Sequence, residues 1–280
     1  MDGKALAERV RQRVGERLVD MGSPPVCLAT VLVGDDVPSQ RYVASKQKQA
    51  AAVGMTSRHT DLPADATQGE VEAVVAGLAA DPAVHGILVQ LPLPAGLAPD
   101  PVIDLIPPAK DVDGLTAASL GRLVRGAPGL VACTPRGIMA LLQHYEVPVS
   151  GRRAVVIGRS TLVGLPVALL LAAKGTDATV TIAHSRSADL AGVCRNADIL
   201  VSAVGVGRLV TPDFVKPGAA VLDVGISRTE AGIVGDVDFD AVAEVAGWIT
   251  PMPGGTGAMT PAMLLENTVD AYCAQQGKVV

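Results

Sequence analysis

The stretch "RRAVVIGRSTLVGLPVALLLAAKG", residues 152–175, decides the fold. A mostly β-branched run from Ala154 to Ile157 stops at Gly158, and after a five-residue loop Gly164 opens an Ala/Leu-rich segment with the look of a helix. Strand, tight glycine turn and helix together put backbone amides where a dinucleotide's pyrophosphate sits. The spacing is not G-x-G-x-x-G, so the context of the turn carries the reading rather than the fingerprint. Two near-matches, Gly205-Val-Gly207 and Gly255-Thr-Gly257, lack the strand-to-helix sequel and read as loops near a ligand at most.

Outward from this stretch the same alternation continues through "ATVTIAHSRS", "ADLAGVCRNA", "DILVSAVG" and "AAVLDVGIS". An earlier series runs "PVCLATVLVG", a helix carrying "YVASK", "GEVEAVVAGLAAD" and "VHGILVQLPL". Short apolar runs alternating with helical patterns predict α/β architecture, with parallel strands covered on both faces. Between the two series lies a Gly/Pro-rich stretch over 106–137, where the domain junction is expected; Thr134 and Pro135 then open a helix. The expected organisation is an N-terminal α/β catalytic domain over 1–136 and a Rossmann-like domain over 137–258. A C-terminal helix over 259–280 packs back on the first domain, because Met263, Leu264, Val269 and Tyr272 need a surface to cover.

The 280 residues are 49% hydrophobic, enough for one large or two modest domains. Net charge is −5 and no basic block appears, which argues against a nucleic-acid partner. The start, "MDGKALAERVRQRVGERL", carries both charge signs, unlike a secretory signal. Apolar runs are cut by Gly, Arg, Pro and Lys before they reach the roughly 18 residues of a membrane span. Cys27, Cys133, Cys194 and Cys273 are scattered without metal spacing and read as reduced thiols, so the expectation is a cytoplasmic protein with no metal.

The strand "ATVTIAH" should end beside the adenosine ribose. NAD-binding chains place an acid there; here His184-Ser185-Arg186-Ser187 follows, with no acid until Asp189. With Arg159 in the first loop, two arginines and nearby hydroxyls favour a 2′-phosphate and hence NADP, though solvated loop ends would look the same.

Tyr42 and Lys46, four residues apart, share a helix face, with Ser39 the expected N-cap and Gly54 the expected stop. Spacing alone fits a solvated face as well as chemistry. Gln90 interrupts an apolar run at a strand end, where ligands collect. Of Asp111 and Asp113 at most one should face a cleft, and Asp-Gly is also an ordinary turn signal. In "ITPMPGGTGAMTPAM" the glycines permit close backbone approach to a flat ligand.

Taken together, "YVASK", "GILVQLPLP", "KDVDGL", "CTPRG", "VVIGRSTLVGLP", "HSRS", "DVGI", "GDVDF" and "TPMPGGTGAMT" stand in the order found in bifunctional methylenetetrahydrofolate dehydrogenase/methenyltetrahydrofolate cyclohydrolases, which the chain resembles over nearly its whole length. The resemblance implies that Lys46 serves the cyclohydrolase step with Tyr42 and Gln90 as partners, and that Asp113 holds the pterin ring. It implies a folate pocket lined by Val89, Leu91 and the loop Pro253, Gly254, Gly255, Thr256 and Gly257. Gly158, Arg159, Ser160, Ser185, Arg186 and Ile226 match the NADP positions, and a homodimer is the implied assembly. The chain departs from the family pattern at Ala132, Thr256 and Ala258, the last two beside the implied folate pocket.

The implied chemistry is hydride transfer from 5,10-methylenetetrahydrofolate to NADP⁺, then hydrolysis of the methenyl cation to 10-formyltetrahydrofolate. The first step needs the two rings held face to face; the second needs a group that changes charge near neutral pH, as an amine does where desolvation lowers its pKa. A short-chain dehydrogenase also uses Tyr-x-x-x-Lys, but there the glycine turn precedes the pair, whereas Gly158 follows Lys46 by more than a hundred residues.

Overall fold

A computed structural model describes residues 1–229 and 232–278; Val279 and Val280, the end of the expected C-terminal segment, lie outside the described residues. The chain divides into two compact units. One comprises Arg9–Cys133 with Pro261–Val280, the other Met1–Glu8 with Thr134–Thr260.

In the first unit α1 (Gly3–Asp20), most of which lies here, buries Val10, Val14 and Leu18 at four-residue spacing, the stripe of an amphipathic helix. Then come β1 (Cys27–Val33), α2 (Val37–Ala52), β2 (Thr56–Leu62), α3 (Gln68–Ala80), β3 (Gly86–Val89), α4 (Pro99–Ile103) and α5 (Ala117–Val124). The parallel sheet has the order β2-β1-β3, with Thr30 opposite His59 on one side and Leu88 on the other. Central β1 is buried at every position, as its unbroken apolar run requires. Its core includes Val31, Val33, Val71, Val75, Ile87 and Ile106.

Strand β2, "TSRHTDL", is mostly exposed and polar at the sheet edge, so it carries no apolar signal to read. The start of α2 also differs from expectation. Its N-cap is Asp36, whose carboxylate accepts from the Ser39 amide at 2.9 Å, and Pro38 fits the first turn, so the helix begins before Ser39. Helix α2 ends at Ala52, and Gly54 follows with φ +89°.

In the second unit the elements are α6 (Cys133–His144, from Thr134 onward here), β4 (Arg153–Ile157), α7 (Gly164–Ala172), β5 (Thr179–Ala183), α8 (Leu190–Cys194), β6 (Ile199–Ser202), β7 (Ala220–Asp223), β8 (Ser227–Thr229), β9 (Gly232–Val234), α9 (Phe239–Ala243) and β10 (Trp248–Ile249). Strands order as β10-β7-β6-β4-β5, all parallel, and β8 pairs β9 as a separate antiparallel ribbon. The chain leaves β4 for β5 on one side and returns to β6 on the other, so the topological switch lies between β4 and β6, at Gly158 and Ala203. Val155, Ile157, Leu200, Val221 and Val242 fill the core. The expectation of strands covered on both faces fails for β5: it is an edge strand with Thr179, Thr181 and Ile182 exposed.

The first eight residues group with this second unit, not with the N-terminal half as the sequence suggests. The Met1 ammonium donates to the Ile249 carbonyl at 2.5 Å and the Lys4 amide to the Gly254 carbonyl at 3.1 Å. A Cβ on Gly3 would stand 2.0 Å from the Gly255 oxygen, so only glycine fits there.

Helix α10 (Thr256–Gln275) begins earlier than the expected 259 and absorbs Thr256 and Gly257 from the anticipated loop. From Pro261 onward it belongs to the first unit, where Glu266 and Asp270 pair with Arg13 and Arg17 of α1 at 2.9 Å each. Met263, Leu264 and Val269 are buried and Tyr272 is partly so. Among the described residues no helix is long and apolar enough to cross a membrane.

Candidate active site

Lys46 stands in the third turn of α2, on a helix anchored by its buried Ser39, Val43 and Ala50. Its Nζ donates to Gln90 Oε1 at 3.0 Å. Gln90 follows β3 directly: its amide extends the ladder to the Val31 carbonyl at 2.9 Å, while Nε2 donates to the Leu91 carbonyl at 2.7 Å. The second bond fixes which way the side-chain amide faces, leaving Oε1 for the lysine. Tyr42, one turn before Lys46, is 51% exposed, and its hydroxyl has no hydrogen-bond partner among the described residues.

The loop after α4 separates its two aspartates by role. Asp111 is buried and accepts from the Leu115 and Thr116 amides at 3.1 and 2.9 Å, a structural turn. Asp113 is partly accessible yet crowded by protein, and burial pushes its carboxyl above the usual range. The Lys46 charge opposes that rise, the Asp111 charge adds to it, and a hydrogen bond with Cys133 lowers it. Lys46, Gln90 and Asp113 therefore form one electrostatic group. Gly114 is required beside it, since φ is +69° and a Cβ would meet the Ala132 nitrogen at 2.3 Å.

Two residues to which the sequence analysis gave no role brace this loop. Asn267 Nδ2 donates to the Val112 and Val131 carbonyls at 2.7 and 2.9 Å, and the Cys133 thiol donates to the Val112 carbonyl at 3.2 Å. Cys133 stands in the motif "CTPRG" and Asn267 in "NTVDAY", but no spacing rule assigns either residue a partner. Of the flanking pocket positions, Leu91 is half-buried, whereas the Val89 side chain lies in the apolar core, which leaves only its backbone for a ligand.

In the second unit Gly158 holds φ +116°, and a Cβ there would come within 2.4 Å of the Ala203 carbonyl. A Cβ on Gly164 would come within 2.3 Å of the Gly158 carbonyl. Helix α7 therefore starts pressed against the turn, which makes a backbone cradle of the kind a pyrophosphate requires. Ser160 Oγ accepts from the Val163 amide at 3.2 Å, so this hydroxyl already caps the helix start. Arg159, Ser185 and Arg186 are exposed, and neither guanidinium meets a carboxylate among the described residues. The Arg186 amide donates to His184 Nδ1 at 3.2 Å, and Ser187 Oγ accepts from the His184 amide at 3.0 Å, fixing the bend. Ile226 is 48% exposed, an apolar ledge at the same sheet edge. Cradle, ledge and unpaired cations fit a phosphorylated dinucleotide.

The glycine-rich segment is mixed. Pro253 and Gly257 are exposed and Gly254 has φ +110°, but Gly255 is buried. The Thr256 side chain is buried and donates to the Asp223 carbonyl, so only its backbone remains for a substrate.

A five-stranded parallel sheet with a glycine cradle at its switch point, in a chain whose other α/β unit bears a lysine–amide–carboxyl group, defines the class of dinucleotide-dependent α/β enzymes. Comparison with known proteins narrows it. Residues 1–113 match the tetrahydrofolate dehydrogenase/cyclohydrolase catalytic domain and residues 132–276 the NAD(P)-binding domain of the same family. The chain is 56% identical to bifunctional protein FolD 2 of Frankia alni over 286 residues, covering 100% of this chain and 98% of the relative. Among solved structures it is similar to the FolD methylenetetrahydrofolate dehydrogenase/cyclohydrolase of Campylobacter jejuni, with TM-score 0.94, 43% identity and 98% of each chain covered. It is also similar to the Trypanosoma brucei enzyme complexed with NADP cofactor and inhibitor, with TM-score 0.92, 38% identity, and 99% and 97% of the two chains covered. The chain belongs to the tetrahydrofolate dehydrogenase/cyclohydrolase family.

Proposed function

We propose that this chain oxidises 5,10-methylenetetrahydrofolate and hydrolyses the methenyl product to 10-formyltetrahydrofolate, with Lys46 as the proton-shuttling amine. Bound NADP⁺ supplies the hydride acceptor. The chain's own work in that step is to orient: the cradle at Gly158 and Gly164 takes the pyrophosphate, Arg159 and Arg186 take the 2′-phosphate, and Ser160, Ser185 and Ile226 line the rest. Asp113 accepts from the pterin amino and ring N–H donors, a flat edge suited to a carboxylate.

In hydrolysis water adds to the methenyl carbon and gives a proton to the Lys46 amine. When the bond from that carbon to N5 breaks, the adduct's hydroxyl proton passes through the same amine to N5, and one proton leaves to solvent. Gln90 holds the amine at 3.0 Å, and Tyr42 lies one turn away on the same helix face to orient substrate or amine. Leu91 and the Val89 backbone add folate contacts in the first unit, and the family pattern assigns Pro253, Gly254, Gly255, Thr256 and Gly257 to the same substrate.

The observation that carries this reading is the Lys46–Gln90 bond coupled electrostatically to Asp113. Titrating the purified protein with NADP⁺ and methylenetetrahydrofolate, while following NADPH and 10-formyltetrahydrofolate together, tests it. Both products should form; nucleotide binding without turnover would favour a catalytically silent sensor on the same fold.

Two further assignments follow the family. A homodimer fits the exposed edge strand β5, whose Ile182 is 40% exposed and whose ladder a second copy can cover; sedimentation should give twice the chain mass. A cytoplasmic setting fits the four buried cysteines, none of them in a disulfide among the described residues.

A further inference from the structure

Behind the nucleotide edge lie two buried carboxyl groups that the mechanism does not use. Asp236 is fully buried; its Oδ2 accepts from Ser202 Oγ at 3.0 Å and the Val204 amide at 2.8 Å, and its Oδ1 accepts from the Val206 amide at 2.8 Å. Asp223, 1% exposed, accepts the Asp236 and Val237 amides at 2.9 and 3.1 Å. Its own backbone is held at both ends, by the Thr250 hydroxyl at 2.8 Å from its amide and by Thr256 at its carbonyl. The fit is mutual. A Cβ on Gly225 would stand 1.8 Å from Asp236 Oδ1, and one on Gly235 would stand 1.8 Å from Asp223 Oδ2.

These bonds form a chain of command from the core to the sheet edge. Asp223 fixes the backbone of 236–237, which aims the Asp236 carboxylate, which holds the loop 203–206 that leaves β6. That loop borders the switch point, and the Ala203 carbonyl is the atom that excludes any side chain at Gly158. A buried carboxylate saturated by loop amides is a stiff brace, because each lost acceptor would leave an unsatisfied donor.

We propose that Asp236 and Asp223 are positioning residues for the cofactor: by locking the 203–206 loop they set the height of the backbone opposite the Gly158 turn, and so the affinity for NADP. The role is distinct from stabilising the fold, and it rests on placing the nucleotide at this edge. Retention of NADP⁺ binding by the unaltered protein, with its loss in Gly158→Ala, checks that placement separately.

Asp236→Asn removes the charge and one of the two acceptor oxygens. The expected result is a KM for NADP⁺ at least tenfold higher, dehydrogenase kcat within threefold, and cyclohydrolase, which needs no nucleotide, within twofold. Ser202→Ala removes a single donor from the same carboxylate and should raise the KM about threefold with both kcat values kept. Where Asp236→Asn does not fold, Ser202→Ala decides. An unchanged KM for NADP⁺ in a folded variant, or a parallel fall of both activities with the folded fraction, would overturn the inference.

Discussion

The two units hold their polar groups in opposite ways. In the first, the candidate reactive side chains stand partly open: Lys46 and Gln90 are half-buried, Tyr42 is half-exposed, and Asp113 is crowded but accessible. In the second, the candidate cofactor edge exposes Arg159, Ser185 and Arg186 around its glycine turn, while the carboxyl groups of Asp223 and Asp236 are sealed behind it. A site that moves protons must expose groups able to change charge; a site that only holds a cofactor can show it fixed cations and keep its carboxyl groups inside as struts.

The contrast is sharpest where Lys46 is replaced. Lys46→Met removes the proposed shuttle and should cut cyclohydrolase kcat about a thousandfold, the scale of a lost general acid–base, with NADP⁺ affinity unchanged by equilibrium titration.

Asp223 tests the struts by pH. Burial pushes its carboxyl from 3.8 up to about 6, against the backbone bonds from Val237, Asp236 and Gly225. Between those values the unfolded chain ionises Asp223 while the folded one keeps its proton. The group's stabilisation is therefore present below about 4 and lost as pH rises through about 6, a change of about 3 kcal/mol. Asp223→Asn lacks that slope, so urea midpoints at pH 4.5 and 7.5 should differ less in the variant than in the parent.

Gly158→Ala forces a Cβ to within 2.4 Å of the Ala203 carbonyl at φ +116°, and should weaken NADP⁺ about a hundredfold while sparing cyclohydrolase. Asp113→Ala should raise the folate KM about thirtyfold in both half-reactions, as loss of charge-assisted hydrogen bonds predicts; isothermal titration with the folate substrate reads it directly.

The same contrast explains what the sequence made legible. Apolar runs announced β1, β3, β4, β6 and β7, because buried parallel strands must be apolar throughout. They could not announce β2 or the exposed face of β5, since edge strands carry polar residues at no cost. Lys46, Gln90 and Asp113 stand out as polar side chains in motif positions, and the structure brings all three together. Asp223 and Asp236 sit in "DVGI" and "GDVDF" with nothing in the spacing to say that each fills the space a glycine of the other motif leaves open. Thr256 shows the same limit: nothing in a glycine-rich segment says that its hydroxyl bonds the Asp223 carbonyl.

Assaying both half-reactions side by side in Lys46→Met and Gly158→Ala tests most directly whether two separable sites share the chain. Lys46→Met should lose hydrolysis and keep NADP⁺ binding, and Gly158→Ala should lose NADP⁺-dependent oxidation and keep hydrolysis. Parallel loss of both activities in either folded variant would contradict it.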